Sequence, residues 1–92
     1  MIGNVGIICK ECSDERYRNF QTKNVGRKLT IGEYVKVPIK QETETEHLWF
    51  EVVEVIGIDR YKGKCDSFPL LVTIIQMNSI IEFDFSDIEE IY

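Results

Sequence analysis

The stretch GEYVKVPIK, residues 32–40, brings a two-residue hydrophobic period into the chain. Its apolar residues are Val35, Val37 and Ile39, and they alternate with Lys36, Pro38 and Lys40. Alternate side chains of a strand point to opposite faces of the sheet, so the pattern predicts a half-buried strand. Proline cannot donate a ladder hydrogen bond, which predicts that this strand lies at a sheet edge or that Pro38 sits at a bulge.

The same period continues toward the carboxyl end. Further strands are predicted over His47–Ile58 with a bend near Gly57, within 59–64, over Leu70–Met77 and over 81–86, with a tight connection at Asn78-Ser79. The residues expected to point inward are Val35, Val37, Ile39, Trp49, Val53, Val55, Leu71, Ile75, Ile81, Phe83 and Phe85. Residues 41–46 carry three glutamates at alternate positions and are expected to be exposed.

The first third of the chain has a different pattern. Val5–Cys9 reads as a short buried strand, and Ser13 is a suitable N-cap for a helix over residues 14–23. Tyr17 and Phe20 then share one helix face, and Asn24 with Gly26 suits the helix end. The predicted fold is α+β, with this helix packed on a curled antiparallel sheet or small SH3-like β-barrel of about five strands. Residues 1–92 are expected to form a single domain, with a strand and helix in 1–31 and an antiparallel β meander in 32–92.

Charge is distributed unevenly along the 92 residues. Residues 1–40 hold eight Lys/Arg and four Asp/Glu, whereas residues 41–92 hold three and twelve, and the net charge is −5. Such an acidic region repels DNA, RNA and anionic lipid and attracts a basic protein. The chain has neither an apolar window long enough to span a membrane nor a signal peptide, so a cytoplasmic protein is expected.

Two cysteines, Cys9 and Cys12, have the spacing of a redox or zinc motif. Glu11 lies inside the motif and disfavours a thiolate, and the strands that follow lack the parallel βαβ order of a thioredoxin-like fold. A zinc set of Cys9, Cys12, His47 and Cys65 is weak, because only one Cys-x-x-Cys pair occurs. Reduced thiols, no metal and no cofactor are therefore expected.

Catalytic motifs do not stand out either. The chain has one histidine and neither a Gly-x-Ser-x-Gly elbow nor a phosphate loop, which argues against an enzyme. The basic residues of the predicted helix lack an aromatic platform, which argues against a nucleic-acid-binding role.

Four stretches carry a resemblance to a known family. GEYVKVPI at residues 32–39 and EHLWFEV at residues 46–52, with YKGK at 61–64 and FDFSDIEE at 83–90, resemble the bacterial family catalogued as domain of unknown function 2314. The resemblance covers about residues 30–92. It implies a small bacterial cytosolic domain, alone or attached to modules such as ankyrin repeats, and no reaction is assigned to the family. The chain departs from the family at Asn78-Ser79, where a Gly-Asp turn is common, and at Tyr92, where a tryptophan is expected.

His47 and Trp49 have the same parity on their predicted strand and therefore share a face. One interpretation makes Trp49 a core anchor with His47 at the strand end. The other places both residues on the rim of a binding surface edged by Glu46 and Glu51.

The expected function is a non-enzymatic acidic binding module. Its most specific form is an immunity-type inhibitor that docks on a basic toxin or nuclease. The expected binding residues are Glu42, Glu44, Glu46, His47, Trp49, Asp84, Asp87, Glu89 and Glu90. The alternative is an accessory β-barrel that recognises a peptide or small molecule in a bacterial assembly through the Pro38 strand edge. The oligomeric state stays open.

Overall fold

The structure is a computed structural model that describes residues 7–9 and 15–92. The predicted N-cap Ser13, Cys12 and the first part of the predicted strand, Val5 and Gly6, lie outside the described residues, as does the side chain of Tyr17.

Five strands form one antiparallel sheet, as predicted, but a strand at Glu90–Ile91 takes the place of the one expected over Leu70–Met77. They are β1 Tyr34–Gln41, β2 Glu44–Val55, β3 Arg60–Cys65, β4 Ile80–Asp84 and β5 Glu90–Ile91. The strand order is β4-β3-β2-β1-β5, and every pair is antiparallel. Because β4 and β5 each pair on one side only, the sheet is open, and the alternative of a closed barrel is wrong.

The strand that contains Pro38 lies inside the sheet, so the prediction of an edge strand is wrong. β1 pairs with β2 along its full length and with β5 at Val35 and Lys36. The carbonyl of Pro38 accepts a hydrogen bond from the Cys9 amide at 3.0 Å, on the side away from β2. The missing donor of Pro38 therefore faces that same side, beyond the end of β5, and no β1–β2 ladder bond is lost.

The buried face of β2 is also opposite to the predicted one. Leu48, Phe50 and Val52 are almost fully buried, whereas Trp49 is half-buried and Val55 is exposed. β2 is apolar on both parities, so its own pattern does not choose a face. The choice comes from pairing, which sets Val37 beside Leu48 and Val35 beside Phe50 on the core side. The irregularity in β2 falls between Val52 and Glu54 rather than near Gly57.

The most apolar stretch of the chain, Leu70–Met77, forms no strand. It belongs to a long connection between β3 and β4, in which Val72 and Ile75 are buried but Leu71 is 54% exposed. The connection ends in the predicted tight turn, where Ser79 donates its amide to the carbonyl of Gln76 and Asn78 adopts a φ of 75°.

One short helix, α1 Glu15–Lys23, precedes the sheet. After the helix ends, the side-chain amide of Asn24 donates a hydrogen bond to the carbonyl of Phe20 at 2.8 Å, and Gly26 follows with a φ of 80°. Its described contacts are with the segment after β4, where Phe20 stacks on Phe85 at 5.9 Å. Within the described part of the chain, no helix has the length and apolar content that crossing a bilayer requires.

The core lies on one face of the sheet. Its members come from the strands and from the segments that cover them: Ile7, Ile8, Leu29, Val35, Val37, Ile39, Leu48, Phe50, Val52, Tyr61, Cys65, Val72, Ile75, Ile81, Phe83, Phe85 and Ile88. Ile8 adds an isolated bridge to Ile39, which is what the structure shows of the predicted first strand. The opposite face of the sheet, which we call the outer face, carries the polar side chains.

Candidate functional site

The outer face carries rows of alternating charge, one row per strand. Acidic residues lie on β4, β2 and β5, and basic residues lie on β3 and β1 between them. The resulting cross-strand ion pairs are Arg60–Asp84 at 2.7 Å, Arg60–Glu82 at 3.3 Å, Lys62–Glu54 at 3.6 Å, Lys64–Glu51 at 4.0 Å and Lys36–Glu90 at 3.1 Å. Most of this face is therefore a charge-compensated surface.

An aromatic groove interrupts the charged rows. It is lined by Tyr34, Trp49, Asp66 and Tyr92, opens to solvent and has a volume of about 380 Å³. Trp49 and Tyr92 meet edge to face with centroids 6.0 Å apart. The ammonium of Lys36 lies 5.2 Å from the centroid of the Trp49 ring. The interpretation of Trp49 as a core anchor is therefore wrong, since the indole lies on the outer face.

His47 lies on the same face as Trp49, as its parity predicts. Its Nδ1 is 2.5 Å from Oε1 of Glu89, whose side chain is 7% exposed while that of His47 is 44% exposed. The histidine therefore gives a buried carboxylate a polar partner.

Glu46 lies on the opposite face from His47 and Trp49 and does not edge their surface. Its carboxylate accepts hydrogen bonds from the amides of Leu70 and Leu71 at 2.7 Å and of Val72 at 3.1 Å. Desolvation opposes ionisation, but these three donors together outweigh it and lower the pKa of Glu46. The residue is an anchor for the connection between β3 and β4.

Gln41 holds the next part of the same connection. Its Oε1 accepts from the amides of Thr73 at 2.6 Å and Ile74 at 3.0 Å, and its Nε2 donates to Oγ1 of Thr73 at 2.9 Å. Two side chains of the β1–β2 hairpin thus satisfy five consecutive backbone amides, from residue 70 to residue 74. A strand ladder is unnecessary for these amides, which explains why the apolar stretch is not a strand.

The anchored segment exposes large apolar side chains. Phe68, Leu70 and Leu71 are 76%, 88% and 54% exposed. Its start is fixed as well, because Ser67 Oγ accepts from the Trp49 amide at 3.0 Å and the Asp66 amide donates to the Trp49 carbonyl at 2.9 Å. We call Phe68, Leu70 and Leu71 the apolar segment.

The remaining predicted carboxylates fall into two groups. Asp84 pairs with Arg60, Asp87 accepts from the Asp84 amide at 2.8 Å, and Glu90 pairs with Lys36, so all three stabilise the fold. Glu42 and Glu44 lie at the tip of the β1–β2 hairpin, are exposed, and form no ion pair among the described residues. The predicted acidic cluster is therefore not one surface, and only these two glutamates are left for a partner.

The thiols occupy different surroundings. Cys65 is a free, buried thiol on the core face, and burial raises its pKa. His47 lies on the outer face, so the sheet separates the two suggested zinc ligands. Cys9 is disulfide-bonded, which corrects the expectation of reduced thiols for this residue, and Cys12 lies outside the described residues.

Comparison with known proteins gives no relative for this chain. No protein-family model, no curated protein and no solved structure matches it. The resemblance to domain of unknown function 2314 stays a prediction.

Sequence reasoning missed several residues of the two surfaces. The pattern does not predict Tyr34, Asp66 and Tyr92 of the groove, and it assigns Leu70 and Leu71 of the apolar segment to a strand. A signal for Tyr34 was present, since the two-residue turn Glu42-Thr43 fixes a register in which Lys36 pairs with Trp49 and Tyr34 lies two residues along the same face.

Proposed function

We propose that the protein is a non-enzymatic binding module that docks on a basic protein partner. The docking surface consists of the apolar segment and the neighbouring hairpin tip with Glu42 and Glu44. The observation that supports this proposal is that large apolar side chains are exposed on a backbone segment held by Glu46 and Gln41.

The docking surface is preorganised for binding. Exposed apolar side chains in a contiguous patch mark an interaction surface. A patch on a fixed backbone loses little conformational entropy on binding, which raises the affinity that a given contact area provides. The hydrogen bonds from Glu46 and Gln41 supply that fixation, so the carboxylate of Glu46 supports binding without touching the partner.

Acidic side chains beside the apolar segment indicate that the partner is basic. Residues 41 and 46, which anchor the segment, flank the exposed Glu42 and Glu44, so two carboxylates border the apolar patch. An apolar centre with an acidic rim suits a partner whose apolar patch is bordered by lysine or arginine. In its most specific form, the proposal is that the protein is an immunity-type inhibitor of a basic toxin.

We also propose that the open sheet curls toward an SH3-like shape. Only residues 85–89 join β4 to β5, and three of them form a 3-10 turn. A flat sheet separates its first and fifth strands by roughly 19 Å, which is more than this link spans, so the sheet curls. The protein acts in the bacterial cytoplasm, as the resemblance to its suggested family implies.

A photocrosslinking experiment followed by titration tests the docking surface. A benzophenone amino acid in place of Phe68 identifies the partner, which is then purified and titrated with the wild-type protein and two variants. Leu70→Ser should weaken binding at least about tenfold, as expected for a central contact. Val25→Ser changes an apolar side chain that is 84% exposed away from the docking surface and should bind like wild type. Equal affinities for wild type and Leu70→Ser would refute the proposal.

A further inference from the structure

The aromatic groove on the outer face is separate from the docking surface and has its own chemistry. Three of its four lining residues are aromatic, and the fourth is Asp66, which is exposed. In the described part of the chain, the carboxylate of Asp66 forms no ion pair, although the other acidic residues of this face are paired. An unpaired carboxylate beside three rings favours a cationic ligand.

Aromatic faces attract cations through the ring quadrupole, and the attraction is strongest for weakly hydrated ions. The chain itself provides an example, because the Lys36 ammonium lies over Trp49 at 5.2 Å and within 3.1 Å of Glu90. The indole is therefore already positioned where a positive charge is stabilised.

The volume and lining of the groove favour one class of cation, a quaternary ammonium. Its volume of about 380 Å³ accommodates a group larger than a primary ammonium. A primary ammonium is strongly hydrated and loses that hydration when it contacts ring faces, whereas the methyl groups of a quaternary ammonium suit such faces. A quaternary ammonium has no N–H to satisfy and keeps its charge.

We propose that the groove formed by Tyr34, Trp49, Asp66 and Tyr92 binds a quaternary ammonium group. Tyr34, Trp49 and Tyr92 contact the methyl groups, and Asp66 balances the charge. The same chemistry occurs in a free choline-type molecule and in a trimethylated lysine side chain, and the groove accepts the ammonium group of either.

Fluorescence titration tests this assignment, because Trp49 is the single tryptophan of the chain. The probes are choline and the amide of Nα-acetyl-Nε-trimethyllysine, each added at constant ionic strength. The control ligand is 3,3-dimethylbutan-1-ol, which has the shape of choline without its charge. Saturable quenching by choline or by the trimethyllysine amide, with the neutral analogue at least about tenfold weaker, is the expected result. The tighter of the two cations identifies the source of the ammonium group.

Two variants complete the test. Asp66→Asn should weaken choline about fivefold by removing the balancing charge, and Tyr92→Ala should weaken it by a similar factor. Both side chains are exposed, so folding is retained, and a thermal melt verifies it. Equal binding of choline and its neutral analogue, or no saturable binding of either cation, would overturn the assignment. Neither result bears on the docking surface, which uses other residues.

Discussion

Gly63 lies on β3 close to two aromatic side chains of the core, Phe83 and Phe50. A Cβ at this position would lie 2.6 Å from Cε1 of Phe83 and 3.0 Å from Cβ of Phe50. Phe83 is fully buried and has no room to move aside. Gly63→Ala should therefore lower the free energy of unfolding by about 1–3 kcal/mol, measured by urea denaturation.

Gly57 provides the matched control for this substitution. A Cβ there would meet the Cβ of Arg60 at 3.5 Å, an ordinary contact, and the site is exposed. Gly57→Ala should change stability by less than about 0.5 kcal/mol. If both variants were equally stable, the close approach at Gly63 would not be a real constraint.

At the scale of single elements, Glu46 connects the β1–β2 hairpin to the segment that follows β3. Its pKa is lowered in the folded protein, so the unfolded chain binds the extra proton first as the pH falls. The stabilisation by Glu46 is thus complete above the ordinary carboxyl pKa and is lost as the pH falls through the folded value.

This sign gives a pH-dependent prediction for Glu46→Gln. The glutamine side chain is neutral, so its hydrogen bonds with the three backbone N–H groups are weaker than those of the carboxylate. The variant should therefore be less stable than wild type by about 1 kcal/mol at pH 7. The difference should shrink as the pH is lowered below about 4. Denaturant unfolding measured from pH 3 to pH 7 gives both numbers. Glu44→Gln on the same strand should show no such pH-dependent difference, and a constant difference for Glu46→Gln would contradict the role.

The same elements show how far the sequence predicts the fold. Alternation in β1 and β4 predicts both strands and their buried faces, because their charged residues all fall on one parity, opposite Val35, Val37 and Ile39 in β1 and Ile81 and Phe83 in β4. β2 has apolar residues on both parities, so the face of Trp49 depends on pairing with β1, which local pattern does not contain. Leu70–Met77 looks like a strand by composition, but the amides of residues 70–74 are satisfied by Gln41 and Glu46, long-range partners that no local rule identifies.

The candidate surfaces differ in the same way. The shared face of His47 and Trp49 follows from parity alone and agrees with the structure. The roles of Glu46 and Glu89 depend on contacts across 24 or more positions, with Leu70 and His47, and so composition made them look like free surface charge. Of the predicted carboxylates, the hairpin tip with Glu42 and Glu44 is what remains open for a partner.

Across the whole molecule, six of the twelve acidic residues after position 40 form ion pairs with lysine or arginine among the described residues. Rows of opposite charge on neighbouring strands place attractive pairs directly across the sheet, where each contributes roughly 0.2–1 kcal/mol. Lys62 is central to this arrangement, because it lies between Glu54 on β2 and Glu82 on β4.

Reversing one charge of the central row tests whether the pattern stabilises the fold. Lys62→Glu would place three carboxylates side by side on adjacent strands, and stability should fall by about 1 kcal/mol at low ionic strength. Lys40→Glu changes the same charge on the outer face opposite Thr45 and should have little effect. Adding Glu54→Lys to Lys62→Glu should restore part of the loss, because it recreates one opposite pair. Since salt screens exposed charges, the loss should also diminish toward 1 M NaCl in denaturant titrations. A loss that is independent of salt, or that Lys40→Glu reproduces, would mean that the charged rows keep the outer face hydrated without holding the strands together.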